Sequence, residues 1–304
     1  MDPITHGLLG ASVSQSVTTR SLGRWAALIG ALAGMAPDLD IFIRSSTNPL
    51  VAITYHRHFS HSLAFVPLGG LIVALFFILT FKTLRSKWPV VLLAGCIAYL
   101  THSLLDATTS YGTLLWWPFS HQRVAWDLMP IVDPVVTSIL AVGVIFSLRK
   151  RLAHPARIGL LVFLGYLSLA AWQHHRALTT QTQLVQQRQP LAIKQRVMPL
   201  IGHIFVYYSI YISNNQIFLD HIHVPLFGKA YVITGGHLPW FRQRDLPLSV
   251  QTNKKLMHDF NVFSWFSDDY LSAFTEKPLV LGDLRYLRHL SPPQTLWTIT
   301  FPTQ

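Results

Sequence analysis

Cysteine and charge are both scarce in this chain. Its 304 residues contain one cysteine, Cys96, which excludes an intrachain disulfide and any cysteine-based zinc cluster. Cys96 lies within an apolar run and reads as a small core residue. Charged side chains make up 12% of the chain, against ~25% in a soluble globular protein. A Gly-rich phosphate loop is missing, and Ser60, Ser62 and Ser103 lie near histidines without an acidic residue spaced to complete a triad. The N-terminus also lacks a basic start before an apolar stretch. No cleavable signal peptide is therefore expected, and the first apolar segments would act as uncleaved signals.

What is present is apolar: 51% of residues are hydrophobic. Four runs read as membrane spans: Ala64–Phe81, Val90–Leu105, Pro134–Leu148 with the residues before it, and Ile158–Trp172. A span needs about 17–25 residues, so the third and fourth draw on their flanks. Leu22–Met35, shorter and mixed with glycine, reads as a fifth span or as a half-inserted helix beside Ile4–Val17. The net charge of +11 invites a nucleic-acid reading, but its distribution argues for a membrane surface. Arg20 and Arg24, then Lys82, Arg85 and Lys87, then Arg149, Lys150, Arg151 and Arg157 fall at alternate ends of successive spans. All nine therefore share one side, against Arg44, Arg57 and Arg123 on the other. The positive-inside rule places the basic loops in the cytoplasm.

From about His175 the composition turns polar, beginning with the Gln-rich stretch Thr179–Gln189, read as a helix extension or linker. Strand-like runs rich in aromatic and branched residues follow at Gln195–Met198, Ile204–Ile212, Gln216–Val224 and Ala230–Thr234. Asn214-Asn215 reads as the turn of a hairpin. Leu279–Tyr286 and Trp297–Phe301 are expected to pair as further strands. The fold class is thus mainly α: a polytopic membrane helical domain of four to five spans over residues 1–174, and a small C-terminal α+β domain over 175–304.

Histidine and aspartate gather in short clusters at the ends of the apolar runs: Thr5-His6, Asp38-Leu39-Asp40, His56-Arg57-His58-Phe59-Ser60-His61 and His102-Ser103-Leu104-Leu105-Asp106. Imidazole and carboxylate suit zinc, manganese or iron, and ionisable groups beside a span mark a functional site. His102 and Asp106, four apart, share one helical face. They could hold one ion or bridge two. Following the chain from cytoplasmic basic loops brings Asp38, Asp40, the His56–His61 loop, His102, Asp106 and His6 to the same far side. Charge asymmetry and ligand clustering are independent, and they agree. Arg123, a lone cation among aromatic residues, suits an anionic phosphate or carboxylate group, and Asp127 and Asp133 could hold it in place or add a metal ligand. The pair His221-Ile222-His223 would face one side of a strand; it and the other tail histidines read as ordinary surface or core residues.

These motifs, in order, resemble a family of bacterial inner-membrane proteins described as metal-dependent hydrolases, the YdjM-like group. The resemblance is carried by Asp2-Pro3-Ile4-Thr5-His6-Gly7, Pro37-Asp38-Leu39-Asp40, His58-Phe59-Ser60-His61-Ser62, His102-Ser103-Leu104-Leu105-Asp106, Ser110-Tyr111-Gly112-Thr113, Trp117-Pro118-Phe119-Ser120 and Ile131-Val132-Asp133-Pro134, over about residues 1–135. A fainter likeness joins Asp38, His61, His102 and Asp106 to the ligands of zinc-dependent phospholipase C and single-strand nucleases. The chain lacks their N-terminal Trp ligand and a second His-x-x-x-Glu, so one or two ions are expected rather than three.

The resulting expectation is a membrane-bound metal-dependent hydrolase with its site and C-terminal domain on the periplasmic face of the inner membrane. His6, Asp38, His58, His61, His102 and Asp106 are the expected ligands of one or two divalent ions, zinc first, with manganese or iron as alternatives. Asp40 would support the ligands, while Arg123 and Asp127 would hold an anionic small-molecule or lipid substrate. Nucleic acid is not an expected partner. The alternative is a non-catalytic, metal-stabilised membrane scaffold whose C-terminal domain binds a partner. A transporter using His and Asp as a proton relay is the third reading.

Overall fold

Asp2 starts the first helix: its carboxylate accepts from the Thr5 backbone N–H at 3.0 Å and from the Thr5 hydroxyl at 2.6 Å, with Pro3 at the first helical position. This helix, α1 (Pro3–Leu22), turns back through Gly23 into α2 (Trp25–Met35). The two pack at backbone contact. A methyl group added at Gly10 would lie 2.3 Å from the Gly30 carbonyl oxygen, and one at Gly34 would lie 2.5 Å from that of His6. Small residues spaced four apart, here Gly30 and Gly34, allow this approach between apolar helices. Because a side chain at Gly10 would run into the Gly30 and Gly34 backbone, Gly10→Val should cost about 3 kcal/mol, the upper end of the usual overpacking penalty. Loss of folded monodisperse protein in detergent is the expected result; unchanged thermal stability would contradict the packing.

A computed structural model describes residues 1–188 and 192–302 and divides the chain into two units. The first comprises Met1–Ile43, Tyr55–His174 and Met198–Ile204; the second comprises Arg44–Thr54, His175–Val197 and Phe205–Gln304.

In the first unit α2 runs into a tight 3-10 segment, Ala36–Phe42, that carries Asp38 and Asp40. α3 (Leu50–Tyr55) belongs largely to the second unit and precedes the histidine-rich loop. Then come α4 (Val66–Thr80), α5 (Trp88–Ala107), α6 (Pro134–Lys150) and α7 (His154–Arg188). Leu22 at the end of α1, Ile29 and Ala33 on α2, Phe77 on α4, Leu84 in the turn after it, and Val91 and Ala98 on α5 fill one core. The outer faces stay apolar: Leu71, Ile72 and Phe76 on α4, and Leu161, Val162 and Leu164 on α7, are exposed. So much exposed aliphatic surface suits lipid rather than water.

Among the described residues, four helical segments are long and apolar enough to cross a membrane: Trp25–Phe42, Leu63–Thr80, Lys82–Ala107 and His154–Arg188. The segment read as a fifth span is thus one of the four, lengthened by its 3-10 continuation. α6, with 17 residues, stands at the lower limit of a span.

The second unit is α+β. β1 (Lys194–Pro199), β2 (Val206–Ser213), β3 (Gln216–His223) and β4 (Tyr231–Pro239) form one sheet in that order. Asn214 and Asn215, with φ of 47° and 60°, close the β2–β3 hairpin, a conformation asparagine tolerates. Ala177, Val197, Tyr207, Ile222 and Val224 form its core. After α8 (Leu248–Gln251) and α9 (Lys254–Ser267), β5 (Leu271–Glu276), β6 (Leu279–Asp283) and β9 (Thr298–Phe301) make a second sheet, and β7 (Leu287–Leu290) pairs with β8 (Pro293–Thr295). The expected pairing of the two late runs is present, with Leu279 opposite Phe301. The Gln-rich stretch is helical as far as Arg188; Gln189 lies outside the described residues.

Candidate metal centre

Three elements converge at one end of the first unit and bring four ligand residues together. The 3-10 segment after α2 supplies Asp38, the loop before α4 supplies His61, and the last turns of α5 supply His102 and Asp106. One ligand atom from each lies within 4.8 Å of every other. His61, His102 and Asp106 are fully buried, while the Asp38 side chain is 22% exposed.

The hydrogen bonds behind this group set its chemistry. His102 Nδ1 donates to the Gly34 carbonyl at 2.6 Å, and His61 Nδ1 lies 3.1 Å from Asp40 Oδ2. With each Nδ1 carrying its proton, both Nε2 atoms turn a lone pair to the same point, 2.9 Å apart. Carboxylate or carbonyl support behind a histidine is the usual way a ligand ring is oriented. Asp38 Oδ1 lies 3.6 Å from His61 Nε2 and 3.5 Å from His102 Nε2. Asp106 Oδ2 lies 3.3 and 3.5 Å from the same atoms.

Tetrahedral zinc with ligand bonds of ~2.0–2.1 Å places its donors about 3.3 Å apart. Four of these separations match that edge, and the His–His distance is shorter. Asp106 Oδ2 is fully buried and accepts no well-formed hydrogen bond, its nearest cation being the Arg57 guanidinium at 3.0 Å, so it keeps a lone pair that a divalent ion could use. Two imidazoles and two carboxylates are a donor set for zinc, manganese or iron. The residues therefore fit a divalent ion.

His61 shows the same charge demand. Burial alone would lower its pKa, but the surrounding Asp106, Asp38 and Asp40 carboxylates push it up to about 10. The same three carboxylates that hold this proton would favour a divalent ion.

Asp40 ties the loop together rather than facing the four-atom group. Its Oδ1 bonds His56 Nδ1 at 2.9 Å, and its Oδ2 accepts from the Arg57 backbone N–H at 2.8 Å and the Ser60 hydroxyl at 3.0 Å. His6 joins from α1 through the other oxygen of Asp106, at 3.0 Å, and stacks on His102 with ring centroids 3.7 Å apart. The Met1 amino group also meets Asp106 Oδ1. His58 lies outside the group, its ring against Trp117 and Phe59.

Arg57 is the participant that sequence reading did not single out. It is buried with φ of 59°, its Nη1 donates to the Thr109 hydroxyl at 2.8 Å, and its Nε lies 3.0 Å from Asp106 Oδ2. It thereby supplies buried positive charge beside the carboxylates. Arg57 and Arg123 cover the Tyr111 ring, 4.9 and 4.8 Å from its centroid. Arg123 Nη2 donates to the Tyr111 and Gly112 carbonyls. Asp127 is buried in a left-handed turn. Asp133 caps α6 through Val135 and Val136 and accepts from the Tyr166 hydroxyl. In the second unit His221 packs near Tyr208 and His223 stacks on Tyr231. Among the described residues the Asp38–His61–His102–Asp106 group is the one with metal-ligand geometry.

A bundle of apolar helices enclosing two histidines and two aspartates at one end defines a polytopic membrane protein with a buried candidate metal site. The sequence matches the family described as YdjM inner membrane protein over residues 1–177, and the chain belongs to that family. The match contains every residue of the site. The chain is also 29% identical over 143 residues to an uncharacterized protein, YfhP, of Bacillus subtilis (strain 168). That alignment covers 45% of this chain and 43% of the relative, so the chain spans less than half of that relative's length. No solved structure matches the chain.

Proposed function

We propose that the protein is a membrane-bound metal-dependent hydrolase acting on an anionic substrate, with a phosphoester of a lipid or envelope precursor as the preferred class. The observation that carries this reading is the convergence of His61 Nε2, His102 Nε2, Asp38 Oδ1 and Asp106 Oδ2 on one buried point. A divalent ion there would supply Lewis acidity and a water of pKa near 7. His61 and His102 would orient through Asp40 and Gly34, and Asp106 would keep its charge balanced by Arg57. Asp38, the one partly exposed ligand, marks the side from which substrate would enter. Arg123, oriented by the Tyr111 and Gly112 carbonyls, would hold the anionic group, with Asp127 as a further polar group of the same segment. His6, which shares Asp106, would serve a second ion or steady the carboxylate.

A non-catalytic, metal-stabilised scaffold is the second reading, because four protein donors suffice to close a tetrahedral site. Cobalt-substituted protein separates the two by its visible spectrum. Under the hydrolase reading, added phosphate perturbs the spectrum, and His102→Ala abolishes hydrolysis of generic phosphodiesters by the folded protein. A spectrum indifferent to phosphate, with no hydrolysis by wild type, favours the scaffold. The basic loops are assigned to the cytoplasm and the site to the periplasm; reporter fusions at Arg151 and after the C-terminal domain test that assignment.

A further inference from the structure

The opposite end of the first unit holds a cavity lined mainly by polar and basic residues. It has a volume of about 430 Å³ and is lined by Gln15, Thr19, Gly23, Arg24, Ser147, Leu148 and Arg151, within the ~300–1,000 Å³ range of small-ligand sites. Its walls are the last turns of α1 and α6. Gln15, Thr19 and Gly23 recur every four residues along one face, and Ser147 and Arg151 do the same on the other.

Three features point to a phosphate-bearing ligand. The first is charge. Residues 1–174 contain six acidic side chains, Asp2, Asp38, Asp40, Asp106, Asp127 and Asp133, none of them on the segments that carry the nine clustered cations. Contacts of Lys87 with the Ser21 carbonyl and of Arg157 with the Ser16 carbonyl draw these cationic segments together around the end of α1. A basic pocket between helix ends at a membrane surface suits an anionic headgroup.

The second feature is Gln15. Its side chain is 1% exposed, lines the cavity, and has a carbonyl oxygen with no hydrogen-bond partner. A buried acceptor left unpaired within an apolar bundle calls for a donor. The Thr19 and Ser147 hydroxyls do not provide it, since they donate to the backbone carbonyls of Gln15 and Leu152. The third feature is Arg151. It caps α6 in the left-handed conformation, φ 56° and ψ 33°, a place that glycine ordinarily takes. This turn sets the Arg151 side chain in the lining of the cavity.

We infer that this cavity binds a phosphate group carrying a hydroxyl-bearing substituent. Arg24 and Arg151 pair with the phosphate oxygens at the mouth, and the hydroxyl donates to Gln15 within. The glycerol headgroup of phosphatidylglycerol has this chemistry, and so does a soluble phosphate ester. The site is separate from the metal centre and stands whether or not that centre hydrolyses anything.

The test uses full-length protein in detergent, with native mass spectrometry to read short-chain phosphatidylglycerol, phosphatidic acid and phosphatidylcholine, and with glycerol phosphate as the soluble arm. Wild type should retain phosphatidylglycerol in preference to phosphatidylcholine. Arg24→Gln/Arg151→Gly should lose at least about tenfold in that affinity, although the glycine relieves the left-handed turn. Gln15→Leu should erase the preference for phosphatidylglycerol over phosphatidic acid. Unchanged metal content confirms that the variants are folded. Binding of glycerol phosphate but not of the lipid assigns the soluble source. Equal binding by wild type and the double variant, or no binding by wild type, overturns the inference.

Discussion

Purified wild-type protein should carry about one equivalent of a divalent metal, and His61→Ala/His102→Ala should carry less than a tenth of that. The two Nε2 atoms face one point at 2.9 Å, so the double substitution removes both nitrogen donors and leaves two carboxylates. A single supporting residue is worth 10–100-fold in metal affinity, and two direct ligands are worth more. The measurement is elemental analysis after purification without chelators, with metal added back to both proteins. Equal occupancy would move the site elsewhere. Affinity should also rise with pH. The carboxylates hold the His61 proton up to about pH 10, and this proton must leave before the ring can ligate. Binding at neutral pH therefore releases a proton, and affinity weakens by about tenfold for each unit of acidification below that value. Calorimetry in buffers of different ionisation enthalpy reads the release directly; no buffer dependence would mean that His61 is not a ligand.

Asp40→Ala is expected to produce the second largest effect, although Asp40 is not among the four converging ligands. Its carboxylate meets His56, the Arg57 backbone, Ser60 and His61, so alanine leaves several buried donors unpaired at once. Each unpaired donor costs about 1–3 kcal/mol, and His61 loses the group that fixes its ring. Metal affinity should fall 10–100-fold and the melting temperature by several degrees. Asp40→Asn, which keeps one acceptor oxygen, should fall between wild type and alanine. A folded Asp40→Ala protein with unchanged metal affinity would show that the His61 orientation is set by something else.

Much of the site was legible because its ligands stand at helix ends. Polar residues there interrupt apolar runs, so Asp38, His61, His102 and Asp106 stood out one cluster at a time. Alternation of charge then put them on one side. The hairpin at Asn214-Asn215 was legible for a similarly local reason. Arg57 was not: it looked like a loop cation, and its partner Asp106 lies 49 positions away, a pairing that only tertiary structure makes. Gly34 was hidden for a different reason, since its contribution is a backbone carbonyl. His58 belongs to a conspicuous cluster, but the left-handed turn at Arg57 and the 3-10 turn at Phe59–His61 send it toward Trp117 instead of His102. The helix α9 did leave a signal, Asn253 as its cap and Phe260, Phe263 and Phe266 as its buried stripe.

The buried guanidinium of Arg57 and the retained proton of His61 have a consequence for the order of assembly. A cluster of inward-facing aspartates would resist insertion into a membrane if it depended on a metal to quench its charge. Here the chain carries its own placeholders. A site balanced in this way by its own chain would let folding and insertion precede metal uptake, with the ion exchanging for the His61 proton. On that reading supply of metal and biogenesis of the protein are separable events.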